Sequence, residues 1–260
     1  MDEIILHRTE LLVLLDALEA TQLIGFDSAD LIPTDIEAHR ALVQEGHARL
    51  ERRGALRLGE DGVLVLAPDL AQLAGVLTSP SNASIIVRDI PGLGRQLFVH
   101  CTKGPNIVEH TLPEPEVHRF ALLADRAALI ARWVELLPVA DTPSTAAFNL
   151  TVEAFMTMKE VAENNNISRA TTLITAAPAS ADDAGLVIDA IRNPDFSASV
   201  ALLKCLDRQI VDGYNPLVVS SINAAWMILP DANDPTRVHI RALNRTTLAE
   251  TLRSLWASLI

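Results

Sequence analysis

The residue types best suited to chemistry gather in one short stretch: His100, Cys101, Glu109, His110 and His118. Imidazole, thiolate and carboxylate are the groups zinc takes as ligands. Their spacing does not make a site. The chain has no C-x-x-C, H-x-x-x-H or H-E-x-x-H, and on a strand Cys101 points away from His100. They read as ordinary strand-face residues, and no metal ligand is assigned. Gly92-Leu93-Gly94-Arg95-Gln96-Leu97 opens like a dinucleotide fingerprint but lacks the third glycine. A strand follows it rather than the helix whose N-terminus would hold a phosphate, so it reads as a turn. No phosphate-binding Gly-x-x-x-x-Gly-Lys loop and no G-x-S-x-G elbow is present. Ser, His and Asp are plentiful, but a catalytic triad is a geometry and not a composition. No catalytic residue and no cofactor is assigned.

The elements that would position these residues follow from composition and periodicity. The chain has 260 residues, 49% of them hydrophobic, enough to bury a sizeable core built mainly from aliphatic side chains. Its net charge of −12 repels phosphate backbones and anionic membranes, which disfavours nucleic acid and membrane as partners. Two cysteines, Cys101 and Cys205, make no disulfide framework. Met1-Asp2-Glu3 lacks the basic start of a signal peptide, and no apolar run reaches the roughly 20 residues that span a bilayer. The expected location is the cytoplasm.

Ile4 to Leu18 carries apolar residues at helical spacing and predicts an opening helix. A second helix is expected over Asp35 to Arg53, stopped by Gly54. Ala55–Leu58 and Val63–Leu66 flank Gly59-Glu60-Asp61-Gly62, the composition of a hairpin. Helix, helix, hairpin is the outline of a winged-helix module. A helix over Asp69–Leu77 follows, then strands over Ser84–Ile90, Gln96–Thr102 and Ile107–Leu112, the last continuing through Val117–Leu122 as one interrupted edge or two strands. A helix over Asp125–Leu137 closes this half. After a linker at Pro138–Ser144, the second half predicts helices over Val152–Asn164, from Ser168 and over Asp182–Ile191. Strands over Ser197–Leu203, Leu217–Ile222, Ala225–Leu229 and Arg237–Leu243 follow, then a helix over Thr247–Leu259.

The second half repeats the first. Ser79-Pro80 before Ala83-Ser84 matches Asn193-Pro194 before Ala198-Ser199, each entering a β-branched strand. Val117-His118-Arg119-Phe120-Ala121-Leu122 and Val238-His239-Ile240-Arg241-Ala242-Leu243 agree at Val, His, Ala and Leu. Arg126 and Leu129 of one closing helix match Arg245 and Leu248 of the other. The expected fold is α+β: two αβββα repeats with quasi-two-fold symmetry around an antiparallel sheet, with helices packed on it. The expected domains are residues 1–138, with the winged-helix-like start, and 145–260, joined in one compact unit.

This pattern resembles the EspG family, the cytoplasmic chaperones of type VII secretion. Gly54–Leu58 through Val65-Leu66-Ala67-Pro68, Leu70–Ala74, Ser79-Pro80, the Ser84–Val87 strand and Ile191–Val200 with the last helix carry the likeness. The resemblance implies a non-enzymatic protein that holds helical client proteins. It also implies a client site on the sheet and its projecting loops. The turns concerned are Thr102, Lys103, Gly104 and Asn106, and the counterpart Gly213, Tyr214 and Asn215, taken as the turn Asp212–Pro216. Tyr214, the chain's single tyrosine, offers apolar area with little side-chain freedom to lose. A protein client is thus the expected partner, and a homodimer is left open.

The alternative is a winged-helix transcription regulator, with Arg49, Arg52, Arg53 and Arg57 turned to DNA and the repeat sensing a ligand. Glu45, Glu51, Glu60 and Asp61 are interleaved with these arginines, which favours a solvated mixed-charge face. An enzyme without a recognisable motif is the third reading.

Overall fold

The computed structural model describes residues 3–20, 23–26, 31–59, 63–175 and 180–260. The chain does not open with a helix. Ile4 and Ile5 lie on a strand, β1 (Glu3–His7), and only then does α1 (Arg8–Ala17) begin. Strand β1 pairs antiparallel with β7 (Val117–Leu123), Ile5 facing Arg119. That partner lies far off in sequence, so helical periodicity alone misplaced the first residues. His7 and Glu10 form a capping box at the junction.

Helix α2 (Ile36–Arg52) starts at Asp35, whose carboxylate accepts from Ala38 N–H at 2.7 Å. It ends on Gly54 at φ +66°, with Ala55 N–H reaching Leu50 O and Gly54 N–H reaching Glu51 O, both at 2.9 Å. This is the Schellman arrangement, and glycine takes its left-handed residue without steric cost. β2 (Leu56–Leu58) and β3 (Leu64–Leu66) form the expected hairpin, and Gly59 N–H reaches Val63 O at 2.7 Å. Glu60-Asp61-Gly62 of its turn lie outside the described residues. Then come α3 (Pro68–Thr78), β4 (Asn82–Ile90), β5 (Gly94–Lys103), β6 (Asn106–Glu114), β7 and α4 (Arg126–Leu136). The interrupted third run is two strands, turned by Glu116 at φ +64° with a register shift between Thr111 and Glu114.

The second half runs β8 (Ala147–Thr151), α5 (Val152–Glu163), α6 (Ile167–Thr175), α7 (Ala181–Arg192), β9 (Phe196–Leu206), β10 (Gln209–Tyr214), β11 (Leu217–Ser220), β12 (Ala225–Pro230), β13 (Arg237–Leu243) and α8 (Arg245–Leu259). β8 was not expected, although Phe148 and Leu150 alternate with exposed Ala147, Asn149 and Thr151. Asn166, not Ser168, faces the first turn of α6, accepting from Arg169 N–H at 3.3 Å.

The main sheet is large and antiparallel, and its strand order repeats. The first half pairs in the order β1-β7-β6-β5-β4 and the second in the order β8-β13-β12-β11-β9. In each half the leading strand therefore docks on the last strand before the closing helix. The structure is mixed α+β, as the sequence predicts.

The chain groups into two compact units whose boundaries cut across strands. The first runs up to Ser84 and adds Phe98–Arg126 and Leu203–Asp212; the second holds Ile85–Leu97, Ala127–Leu202 and Gly213–Ile260. In the first, α1 and α2 cross so closely that a Cβ added at Gly46 would lie 1.9 Å from Thr9 O. In the second, Phe148, Met158, Ile174, Val187, Trp226 and Ile240 build the core. There α4 and α8 also meet through an edge-on Trp133–Trp256 contact, ring centres 5.2 Å apart.

Candidate partner-binding site

The turn between β5 and β6 is tight. Lys103 pairs with Asn106, and Gly104, at φ +58°, holds the first of the two central positions before Pro105. Its side chains are engaged inward. Lys103 Nζ donates to Gly75 O at 3.1 Å and Ser79 Oγ at 2.5 Å, closing the C-terminal end of α3. Asn106 Oδ1 accepts from Gln72 Nε2 at 2.7 Å, and buried Thr102 donates to Asn82 O at 3.3 Å. The turn thus anchors α3 in the first unit.

The counterpart turn is not where the sequence places it. Gly213 and Tyr214 belong to β10, and the chain reverses earlier, at Asp207 (φ +49°) and Arg208 (φ +66°). Gly and Pro at Gly213 and Pro216 signal a turn, but β9 extends to Leu206, and β10 and β11 line up along it one after the other. Asn215-Pro216 is the break between them, with Pro216 O accepting from Val200 N–H at 2.9 Å. Tyr214 Oη accepts from Ser258 Oγ at 3.2 Å, and Asn215 Oδ1 accepts from Ser199 Oγ at 2.9 Å. Thr102–Asn106 falls in the first unit and Gly213–Asn215 in the second.

One group of exposed apolar residues lies at the β9–β10 tip. Leu206, Ile210 and Val211 are 62%, 58% and 52% exposed. Ile210 and Val211 are successive residues of a strand, so both faces of β10 are uncovered there. Arg208 fixes the tip by donating to Leu18 O at 3.2 Å and Glu19 O at 3.1 Å, the open carbonyls at the end of α1. The β-branched pair Ile210-Val211 was the one sequence signal, hidden because Asp207-Arg208 lacks Gly, Asn or Pro. In the second unit a cleft of about 500 Å³ adds an apolar wall of Val134, Leu137 and Val139, with Arg245, Asp195 and Ile222 around it.

The chemistry-bearing residues near position 100 are buried. Ser84 Oγ lies 3.0 Å from His100 Nδ1, and His100 Nε2 lies 3.1 Å from Glu109 Oε2. Hydroxyl, imidazole and carboxylate are in the order a nucleophilic triad uses, yet all three are sealed from solvent. No substrate atom can approach, and the arrangement serves as a satisfied polar network across β4, β5 and β6. His110 Nε2 and His118 Nδ1 form a second buried pair at 2.9 Å, with His110 stacked between Phe26 and Phe120. His110 Nδ1 has no partner. An unpaired lone pair costs less there than a stranded N–H, so the proton sits on His110 Nε2 and points at His118. Burial holds both rings below the usual histidine range, His118 at about 4. Burial pushes the Cys101 thiol up to about 12 and raises Cys205 as well. Among the described residues no group of three or more His, Cys, Asp or Glu is placed to hold a metal ion.

Basic residues at the C-terminal end of α2 and just after it have partners. Arg49 pairs with Glu45 at 2.8 Å, and Arg53 Nη1 reaches Glu10 at 3.0 Å and Ile5 O at 3.0 Å. No described helix is long and apolar enough to cross a membrane.

No family model and no curated protein matches the sequence. A solved structure does: the Mycobacterium tuberculosis type VII secretion system chaperone EspG5 in complex with a PE25–PPE41 dimer. The likeness has a TM-score of 0.72 and covers 100% of this chain and 97% of that one, at 12% sequence identity. Helix and strand therefore follow the same path from end to end while most side chains differ, and the chain is EspG-like in fold.

Proposed function

We propose that this chain is a protein-binding chaperone of the cytoplasm that holds a helical client before export. The observation that carries the reading is the end-to-end likeness of fold to EspG5, a chaperone solved with a protein dimer bound. Two features of this chain support it. Its polar residues of catalytic type, Ser84, His100 and Glu109, are sealed in the core, and a group of uncovered apolar residues, Leu206, Ile210 and Val211, lies at one hairpin. Residues 1–138 and 145–260 are, on this reading, diverged copies of one ancestral unit.

Co-expression tests it. The tagged chain is produced with small helical proteins encoded beside its gene, and soluble client is measured with and without it. A soluble complex that co-elutes on size exclusion is the expected result. Clients that aggregate equally in both cases, across all neighbours tried, would overturn the reading.

A further inference from the structure

We propose that the outer edge of β8 receives an extended segment of a partner protein, antiparallel, with an aspartate or glutamate side chain set against Arg241. Two independent observations meet there, one of the backbone and one of a side chain. β8 closes one end of the main sheet and is hydrogen-bonded to β13 alone among the described strands, so its outer edge is open to another strand.

Two backbone bonds fix which residues that edge offers. Ala242 N–H reaches Ala146 O at 3.0 Å, and Val152 N–H reaches Thr236 O at 2.7 Å. N–H and C=O directions alternate along a strand. Phe148 and Leu150 therefore bond to β13, and Ala147 and Asn149 point their backbone groups outward. The side chains of Ala147 and Asn149 are exposed, and they share a face with Arg241 and His239, the β13 residues paired with them.

Arg241 lacks a counter-charge. Its Nε is buried without a hydrogen-bond partner, and among the described residues no carboxylate meets its guanidinium. Burial lowers its pKa, and no neighbouring anion offsets that. In the lone chain such a half-buried, uncompensated charge costs stability. On one side of it stands Met227, fully buried, and on the other Ala147, whose methyl group is exposed. An anion therefore approaches over Ala147, from beyond the edge of β8.

A strand added at that edge supplies one. The residue that exchanges both backbone bonds with Ala147 sets its side chain beside that methyl group, on the face of Arg241. Two strand spacings, about 10 Å, separate it from Arg241, and an arginine and a glutamate close that distance between them. His239, next along this face, is already paired with Asp231 at 2.8 Å, so the incoming carboxylate belongs at Arg241. A second copy does not provide it. β8 carries Ala147, Asn149 and Thr151 on this face, and the end strand β1 has its Glu3 on Arg119. The occupant is an acidic, extended segment of another protein, distinct from the helical client proposed above.

Fluorescence anisotropy of the full chain with a labelled peptide, acetyl-Lys-Thr-Val-Glu-Val-Thr-Lys-amide, tests this beside the same peptide with glutamine or lysine at its centre. The parent should bind the glutamate peptide about tenfold more tightly than the glutamine peptide, and the lysine peptide more weakly still. Arg241→Gln should erase that preference. Ala147→Pro removes an outward N–H and no bond to β13, and should weaken binding of the glutamate peptide at least about tenfold. Thermal melting of each variant confirms that it is folded. No binding of the glutamate peptide by the parent up to about 1 mM would overturn the proposal. So would equal binding of the glutamate and glutamine peptides, a preference for glutamate that survives Arg241→Gln, or binding that a folded Ala147→Pro variant leaves unchanged.

Discussion

Individual residues set limits that substitution can measure. Gly46 is the contact point of α1 and α2, where a methyl group would overlap the backbone of Thr9. Gly46→Ala must push the two helices apart, and a loss of about 3 kcal/mol is expected in urea titration. The His110–His118 pair gives the fold an acid limb. Both rings are held below the ordinary histidine pKa chiefly by burial, and for His118 by the neighbouring positive charge of Arg8 as well. The unfolded chain therefore takes up these protons first. Stability is complete above about pH 6.5 and drains as pH falls towards 4, through the range set by the His118 value. Unfolding midpoints between pH 7.5 and 4 should fall more steeply for the parent than for a His110→Gln/His118→Gln double variant. The cysteines give a third test. A thiol at about 12 is almost wholly protonated at neutral pH, so Cys101 should resist a thiol-specific reagent until the protein is denatured.

Helix ends carry the next level of organisation. Among the described residues three helices finish on a left-handed residue: α1 at Glu19, α2 at Gly54 and α5 at Asn165. Glycine and asparagine suit that conformation, and glutamate does not. Glu19→Gly should therefore stabilise the chain by about 1 kcal/mol, read as a raised melting temperature. The run Asn164-Asn165-Asn166 divides the work of one junction. Asn164 closes α5, Asn165 makes the left-handed step, and Asn166 caps the first turn of α6. The sequence marks this turn by composition alone. At the first helix it misleads, because the apolar spacing of Ile4 to Leu18 does not show that the first residues pair with β7.

At the scale of the molecule, the halves defined by the repeat are not the units defined by packing. The first unit takes in Leu203–Asp212 from the second half, and the second takes in Ile85–Leu97 from the first. Residues 1–138 expressed alone should therefore fail to give the dispersed amide spectrum of a folded domain, although the repeat marks them as one copy. A folded, monomeric 1–138 fragment would show that the shared strands are dispensable.

Sequence by itself determined what depends on neighbours along the chain. The stop at Gly54, the Gly104-Pro105 reversal, the bounds of β13 and most helices follow from periodicity and turn residues acting over a few positions. The repeat, too, is legible, because equivalent strands must bury equivalent faces. Tertiary structure alone decided what depends on distant partners. It made Ile4-Ile5 and Phe148–Leu150 edge strands of the sheet, and turned Lys103 and Asn106 inward onto α3. It also drew β9 out to Leu206, so that Gly213 and Tyr214 joined a strand and Ile210 and Val211 were left uncovered. Strand pairing is a long-range bond whose partner no local spacing names, and that is why the residues with chemical potential went into the core while the exposed surface lay elsewhere.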